Sequence, residues 1–240
     1  MLRTLGFVAF PVLAGILGGV MASFQPPGPR LASAVQHFAA GVVFAAVAGE
    51  ILPGMSHGAH LPVVAIGFVI GVALMLALGA WERRAAKADE AAGGVPRPAL
   101  LAVAIDLLID GFLIGIAFLA GEKAGLLLTF ALTLEVLFLG LSVAAMLGRA
   151  GTGPQGILLA TAGLSLLTAV GAAGAALVGP ALPEPALVGV LSFGCAALLY
   201  LVTEELLVEA HEAAPDSSWR TAMFFVGFLL VILLDLEGGV

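Results

Sequence analysis

Charge is scarce in this chain. Lys, Arg, Asp and Glu make up 10% of the 240 residues, against 61% hydrophobic residues. A soluble domain of this size keeps much more polar surface, because part of its exterior must face water. Cysteine is nearly absent too. The one residue, Cys195, excludes an internal disulfide framework and a cysteine-rich metal cluster. Set in the apolar run LSFGCAALLY, it reads as a small packed hydrophobe. There is no basic excess: the net charge is −7, and most of the acids lie in or near apolar segments, so no nucleic-acid partner is expected.

Apolar sequence fills the space that charge leaves. The mean hydropathy is +1.17, and the apolar residues come in runs of about 20, the length a helix needs to cross a bilayer. A merely large soluble core would not repeat such runs along the whole chain. The expected fold is an all-α integral membrane protein, a bundle of eight transmembrane helices forming a single transmembrane domain over residues 1–240. The expected spans are Leu5–Phe24, Leu31–Leu52, Leu61–Trp81, Ala99–Leu119, Gly125–Leu147, Gly156–Val178, Ala186–Leu207 and Ser218–Leu236. Between them stand turn-forming stretches such as QPPGPR, PGMSHGAH, GEKAG, GRAGTGPQG and GPALPEP. The first run is long for a signal peptide and no clear A-x-A site follows it, so it reads as a span.

Orientation follows from Lys and Arg. Loops after spans 1, 3, 5 and 7 would share one side with Arg30, Arg83, Arg84, Lys87, Arg97, Arg149 and Arg220, seven in all. The other side holds Arg3 and Lys123. The bias predicts that the segment 82–98 after span 3 is cytoplasmic and that both termini are outside. That segment, ERRAAKADEAAGGVPRP, is charged, rich in Ala and Gly and free of aromatics, which predicts a flexible linker. Within spans, the pairs Gly15/Gly19, Gly67/Gly71 and Gly111/Gly115 have the four-residue spacing that lets helices approach closely.

Three acids lie deep in spans: Asp106 and Asp110 on the fourth and Glu135 on the fifth. A charged residue at mid-helix costs about 2.5–3.5 kcal/mol on the insertion scale. No Lys or Arg lies deep in any span to offset that cost. Protonation or a cation from outside the sequence must do so. Asp106 and Asp110 are four residues apart and share a helix face, about 6 Å from end to end. Asp110 and Glu135 both fall near the middle of antiparallel neighbours. An oxygen-rich cation site built from Asp106, Asp110 and Glu135 is the expectation. Further polar residues would extend it into a pathway: Glu50 at the outer end of span 2, Glu204 and Glu205 near the inner end of span 7, and His37 with Gln36 in the inner half of span 2. Counting at 3.6 residues per turn puts Gln36, not His37, on the Glu50 face. Glu209 and His211 follow Glu204 and Glu205 on span 7, and for them as for Glu50 ordinary interfacial polarity is an equal alternative.

These residues sit in patterns that resemble a family. Spans 4 and 5 carry DLLIDG and EVLFLG, an acid followed by glycine five residues on; span 2 carries HFAAGVVFAAVAGEILPG and span 7 LLYLVTEELLVEAH. The arrangement resembles the Zrt-, Irt-like (ZIP) divalent metal transporters, whose spans 4 and 5 carry HNxPEG-like motifs, as a divergent bacterial-type member. The resemblance implies a substrate among zinc, iron, manganese and cadmium, a bacterial cytoplasmic (inner) membrane, and a homodimer as one assembly the family uses. It also shows departures. Asp106 and Asp110 stand in place of the motif histidine and glutamate; Ile109 and Phe138 replace the motif prolines, which would straighten both helices. Leu139 replaces the second glutamate, and Leu107 and Val136 remove the polar residues that would hold a second ion. The resemblance thus implies one carboxylate site and no imidazole. Carboxylates favour Mg²⁺, Mn²⁺ and Ca²⁺ over softer metals, with zinc still in range.

The expected function is inward movement of a divalent metal cation, by alternating access or slow leak, with the lipid bilayer and the ion as its partners and the ion (Zn, Mn, Fe or Mg) as substrate. Two alternatives remain: a non-transporting ZIP-like protein with a structural or sensor role, and a proton-coupled carrier of another solute. No enzyme is expected. An intramembrane aspartyl protease takes its two acids from different helices, whereas Asp106 and Asp110 share one and no G-x-G-D stretch is present.

Overall fold

The structure is a computed structural model describing residues 2–24, 28–56, 61–92, 95, 97–215 and 217–237. Among the described residues there is no strand. The helices are α1 (Leu2–Phe24), α2 (Pro29–Ala46), α3 (Leu52–Ser56), α4 (Leu61–Ala92), α5 (Arg97–Ala120), α6 (Glu122–Arg149), α7 (Pro154–Val178), α8 (Glu184–Tyr200), α9 (Leu207–Ala213) and α10 (Ser218–Glu237). Two π-helical segments, Val47–Ile51 and Leu201–Leu206, join α2 to α3 and α8 to α9 without a break in the rod. Eight stretches among the described residues are long and apolar enough to cross a membrane, each overlapping an expected span. This is the architecture of an integral membrane protein.

Local chemistry sets the ends. Pro29, after an extended Gly28, and Pro154, after an extended Gly153, open α2 and α7, where proline's missing N–H costs nothing. The end of α6 is a Schellman turn. Gly151 has φ +77°, its N–H donates to the Gly148 carbonyl, and the Thr152 N–H donates to the Leu147 carbonyl.

The segment 82–98 is only partly the linker that its composition suggests. α4 runs on to Ala92, so its first eleven residues, 82–92, are helical. WERRAAKADEAA consists mostly of strong helix formers, and propensity outweighs the lack of an apolar face. Among residues 93–98, only Val95, Arg97 and Pro98 are described, and the last two already belong to α5. With no proline past the first turn, α5 and α6 run unbroken for 24 and 28 residues.

The chain divides into two compact units, each built from several stretches of sequence. Unit 1 comprises Met1–Pro26, Ala73–Ile116 and Leu132–Ala181. Here α1 lies along α7. Val143, Ala144, Leu147 and Ile157 form a buried cluster, flanked by Ala22, Leu100, Val103, Ala160 and Leu164. Both expected small-residue pairs in this unit are close contacts. A Cβ on Gly15 or Gly19 would meet Ser165 or Thr161 of α7, and one on Gly111 would run into the Thr168 backbone carbonyl. With little hydrophobic drive between helices in lipid, this packing is what holds them together.

Unit 2 comprises Pro27–Val72, Ala117–Ala131 and Leu182–Val240. Its most enclosed helix is α2, which packs on α10 through reciprocal glycines: a Cβ on Gly41 would strike the Phe224 carbonyl, and one on Gly227 the Phe38 carbonyl. Phe44 sits between Phe224 and Phe228, with ring centroids 5.9 and 6.0 Å away. α2 also packs on α9. The Ser192 hydroxyl donates to the Val64 carbonyl at 2.7 Å, joining α8 to the start of α4, near Gly67, where a Cβ would strike Gly189.

Candidate metal centre

Asp106, Asp110 and Glu135 all lie in unit 1, and the structure brings them together. Each offers a carboxylate oxygen such that all three lie within 4.8 Å of one another. Their exposures are 8%, 3% and 3%. The i, i+4 spacing on α5 aligns the two aspartates, and the antiparallel α6 brings Glu135 to their level. Each of the three also engages other groups in the structure. On α5, α6 and α7 the basic residues Arg97, Lys123 and Arg149 are confined to helix ends.

The magnitudes decide what such a cluster requires. At 4.8 Å and an effective dielectric of about 20, two like unit charges repel by roughly 3–4 kcal/mol. Three ionised carboxylates add three such pairs to the cost of their burial. Either protons or a cation must offset this. The spacing suits a cation: oxygen ligands at about 2.1–2.5 Å from an ion stand up to about 4–5 Å apart.

Thr168 on α7 adds a polar atom from a helix that carries no acid. Its residue is fully buried and its carbonyl abuts Gly111, the neighbour of Asp110. Its hydroxyl makes no hydrogen bond. The hydroxyls of Thr161 and Ser165, by contrast, donate to the Ile157 and Thr161 carbonyls at 3.0 and 2.8 Å. The signal was present in the sequence: Thr168 is the last polar residue of a small-residue stripe, one turn short of Gly171 and Ala172.

Beside the cluster, Leu107, Val136 and Leu139 line a gap of only about 10 Å³, together with Val103, Gly140 and Leu164. That is at the lower limit for one water molecule. The two hydroxyls that reach it, on Thr161 and Ser165, are those committed to their own helix.

The remaining expected residues, Gln36, His37, Glu50, Glu204 and Glu205, lie in unit 2. Glu50 stands on the π segment Val47–Ile51, where the Lys123 ammonium lies 3.7 Å from its Oε1 and also contacts Asp235. Glu204 and Glu205 stand on the other π segment, Leu201–Leu206; Glu204 is exposed and Glu205 half-buried. π turns of this kind recur at functional sites. Gln36 and His37 are both buried at the α2–α9 contact. Gln36 Nε2 donates to Glu209 Oε2 at 2.6 Å, and the His37 and His211 rings stand with centroids 5.0 Å apart.

Gln36 and Glu50 therefore meet different partners, although helical counting put them on one face. The π segment at Val47–Ile51 widens the turn just before Glu50, and a count of 3.6 residues per turn fails across it. Glu209 and His211 both meet side chains of α2. The up-and-down order of the spans already set the start of α2 and the end of α9 at one end of the bundle. What the sequence could not show was which faces meet.

No family model and no curated protein matches this chain.

Proposed function

We propose that this protein carries a divalent metal cation across a membrane, with Asp106, Asp110 and Glu135 as its site, in the manner of the ZIP transporters its motifs resemble. One observation carries the reading: three carboxylates are buried together on helices that carry basic residues only at their ends. A purely structural role would be filled more cheaply by apolar residues of the same volume. A cation that visits and leaves gives the acids a reason to be there.

The donor set supports an oxygen-preferring ion. Three carboxylates, with a buried Thr168 hydroxyl on the helix whose backbone meets Gly111, match the chemistry of Mn²⁺, Mg²⁺ or Ca²⁺ better than that of a thiolate- or imidazole-seeking metal. The apolar gap at Leu107, Val136 and Leu139 supports one ion in that position rather than two. The charge bias of the loops favours outside termini and uptake toward the cytoplasm, and the resemblance favours a bacterial inner membrane.

The test is Mn²⁺ uptake into proteoliposomes containing the full chain. Flux through the wild type should fall at least tenfold in Asp110→Asn, which keeps the side chain's size but removes its charge. A wild type that passes no divalent ion, or an Asp110→Asn variant that passes it as well, ends the transport reading. The first result would favour a non-transporting scaffold or sensor. Metal-independent flux driven by a pH gradient would favour a proton-coupled carrier.

A further inference from the structure

His37 is a buried histidine whose ring is only half used. It is 3% exposed, and its Nδ1 lies 2.8 Å from the Ser33 carbonyl of its own helix. A carbonyl can only accept, so Nδ1 carries the proton. In a neutral ring the lone pair is then on Nε2. That atom is buried and makes no hydrogen bond. A hydrogen bond from Nδ1–H to a backbone carbonyl is also how proteins fix a metal-binding histidine in its ligating tautomer.

His211 repeats the arrangement. Its Nδ1 meets the Leu207 carbonyl, also four residues back on its own helical rod. A neutral His211 ring therefore carries its lone pair on Nε2 as well. The two rings face one another across the α2–α9 contact, with centroids 5.0 Å apart and planes inclined by 59°. Two imidazoles bound at about 2.0–2.1 Å to one ion, at a tetrahedral angle, would have their centroids about 5 Å apart. Beside them Gln36 holds Glu209, bringing negative charge to the same contact, and Gln36 Oε1 is a further buried oxygen without a hydrogen bond.

We propose that His37 and His211 form a second divalent-cation site, one that prefers imidazole-seeking metals such as Zn²⁺ or Co²⁺. Two protein nitrogens bind the ion, with water in the remaining positions. So few protein ligands make the site a weak one, from which an ion leaves readily. Its donors differ in kind from the carboxylates of unit 1, and as a binding site it stands whether or not the protein transports.

The experiment uses the full chain in detergent, titrated with Co²⁺ and followed by visible absorption. Nitrogen-ligated tetrahedral cobalt gives intense bands that oxygen-ligated octahedral cobalt does not. Wild type and Asp110→Asn should both develop these bands, whereas His37→Gln and His211→Gln should need at least tenfold more Co²⁺. His211 is exposed, so its variant should elute as a single species on size exclusion. X-ray absorption of Zn²⁺-loaded Asp110→Asn supplies a check independent of the histidine variants, and should show imidazole scattering. Bands that persist unchanged in both histidine variants, or an oxygen-only shell around zinc in Asp110→Asn, overturn the proposal. So does a wild type in which the histidine pair binds protons but no metal. Loss of Mn²⁺ flux in Asp110→Asn with its cobalt bands intact would separate this site from the carboxylate reading.

Discussion

Unit 1 and unit 2 both bury polar groups among apolar helices, but they balance them differently. In unit 1, Asp106, Asp110 and Glu135 cluster where α5 and α6 offer basic residues only at their far ends. In unit 2, Glu50 meets Lys123, Gln36 meets Glu209, and His37 meets His211. A cluster of acids asks for protons or a cation, whereas Glu50 with Lys123 and Gln36 with Glu209 find partners of complementary character within their own unit. The backbone differs in the same way. Unit 1 holds its acids on unbroken α-helix, while unit 2 sets Glu50, Glu204 and Glu205 on π turns.

The contrast can be broken most severely at Gly111. Its missing Cβ lets α5 lie against the Thr168 carbonyl. Backbone cannot yield as a flexible side chain can, so Gly111→Leu should force α5 from α7. We expect a destabilisation of at least ~1–3 kcal/mol, the usual cost of overpacking, read as loss of the folded species in detergent thermal unfolding. Mn²⁺ binding should vanish with it. An unfolding curve like that of the wild type would show that the close approach is not required.

Next in size, Leu139→Glu would place a fourth acid beside the small apolar gap. With no room for an ion and no basic partner, the variant should lose about 2.5–3.5 kcal/mol, seen as a lower melting temperature that added Mn²⁺ does not restore. Full restoration by Mn²⁺ would reveal space for a second ion after all.

A smaller effect is expected from Lys123→Met. It removes the cation between Glu50 and Asp235, at a half-exposed position where ion pairs contribute little. Melting should barely change, but divalent ions should now bind at Glu50 and Asp235, adding a weak class in calorimetry. If no new class appears, the ammonium is not standing in for a cation there. Least of all should change in Glu204→Gln, because this side chain is exposed; uptake within a factor of about two of wild type would place Glu204 outside the ion's route.

Much of the carboxylate centre was legible in the sequence. Acids in apolar runs are rare and expensive, so Asp106, Asp110 and Glu135 stand out on cost alone. Their i, i+4 spacing and matched depth on antiparallel helices then leave little freedom in how they meet. Unit 2 was far less legible. The partners Gln36 and Glu209 are 173 residues apart, and neither is unusual near a span end. The π turns leave no mark in hydropathy, and they upset the face-counting that would have related Gln36 to Glu50. Residues 82–92 were misjudged for a related reason: absence of an apolar face suggests a linker, but Ala, Glu, Lys and Arg still favour helix once a long apolar helix precedes them.

By itself the amino-acid sequence determined that eight segments are long and apolar enough to cross a bilayer and that three acidic residues lie deep within them, because transfer energy depends on composition and local period alone. Only the tertiary structure decided that Lys123 reaches Glu50, that two histidines face each other across α2 and α9, and that the space beside Leu139 is small. Those are matters of which helix faces touch. In lipid, that choice rests on glycine-to-backbone fit at places such as Gly41 and Gly111, a geometric match that no single segment contains.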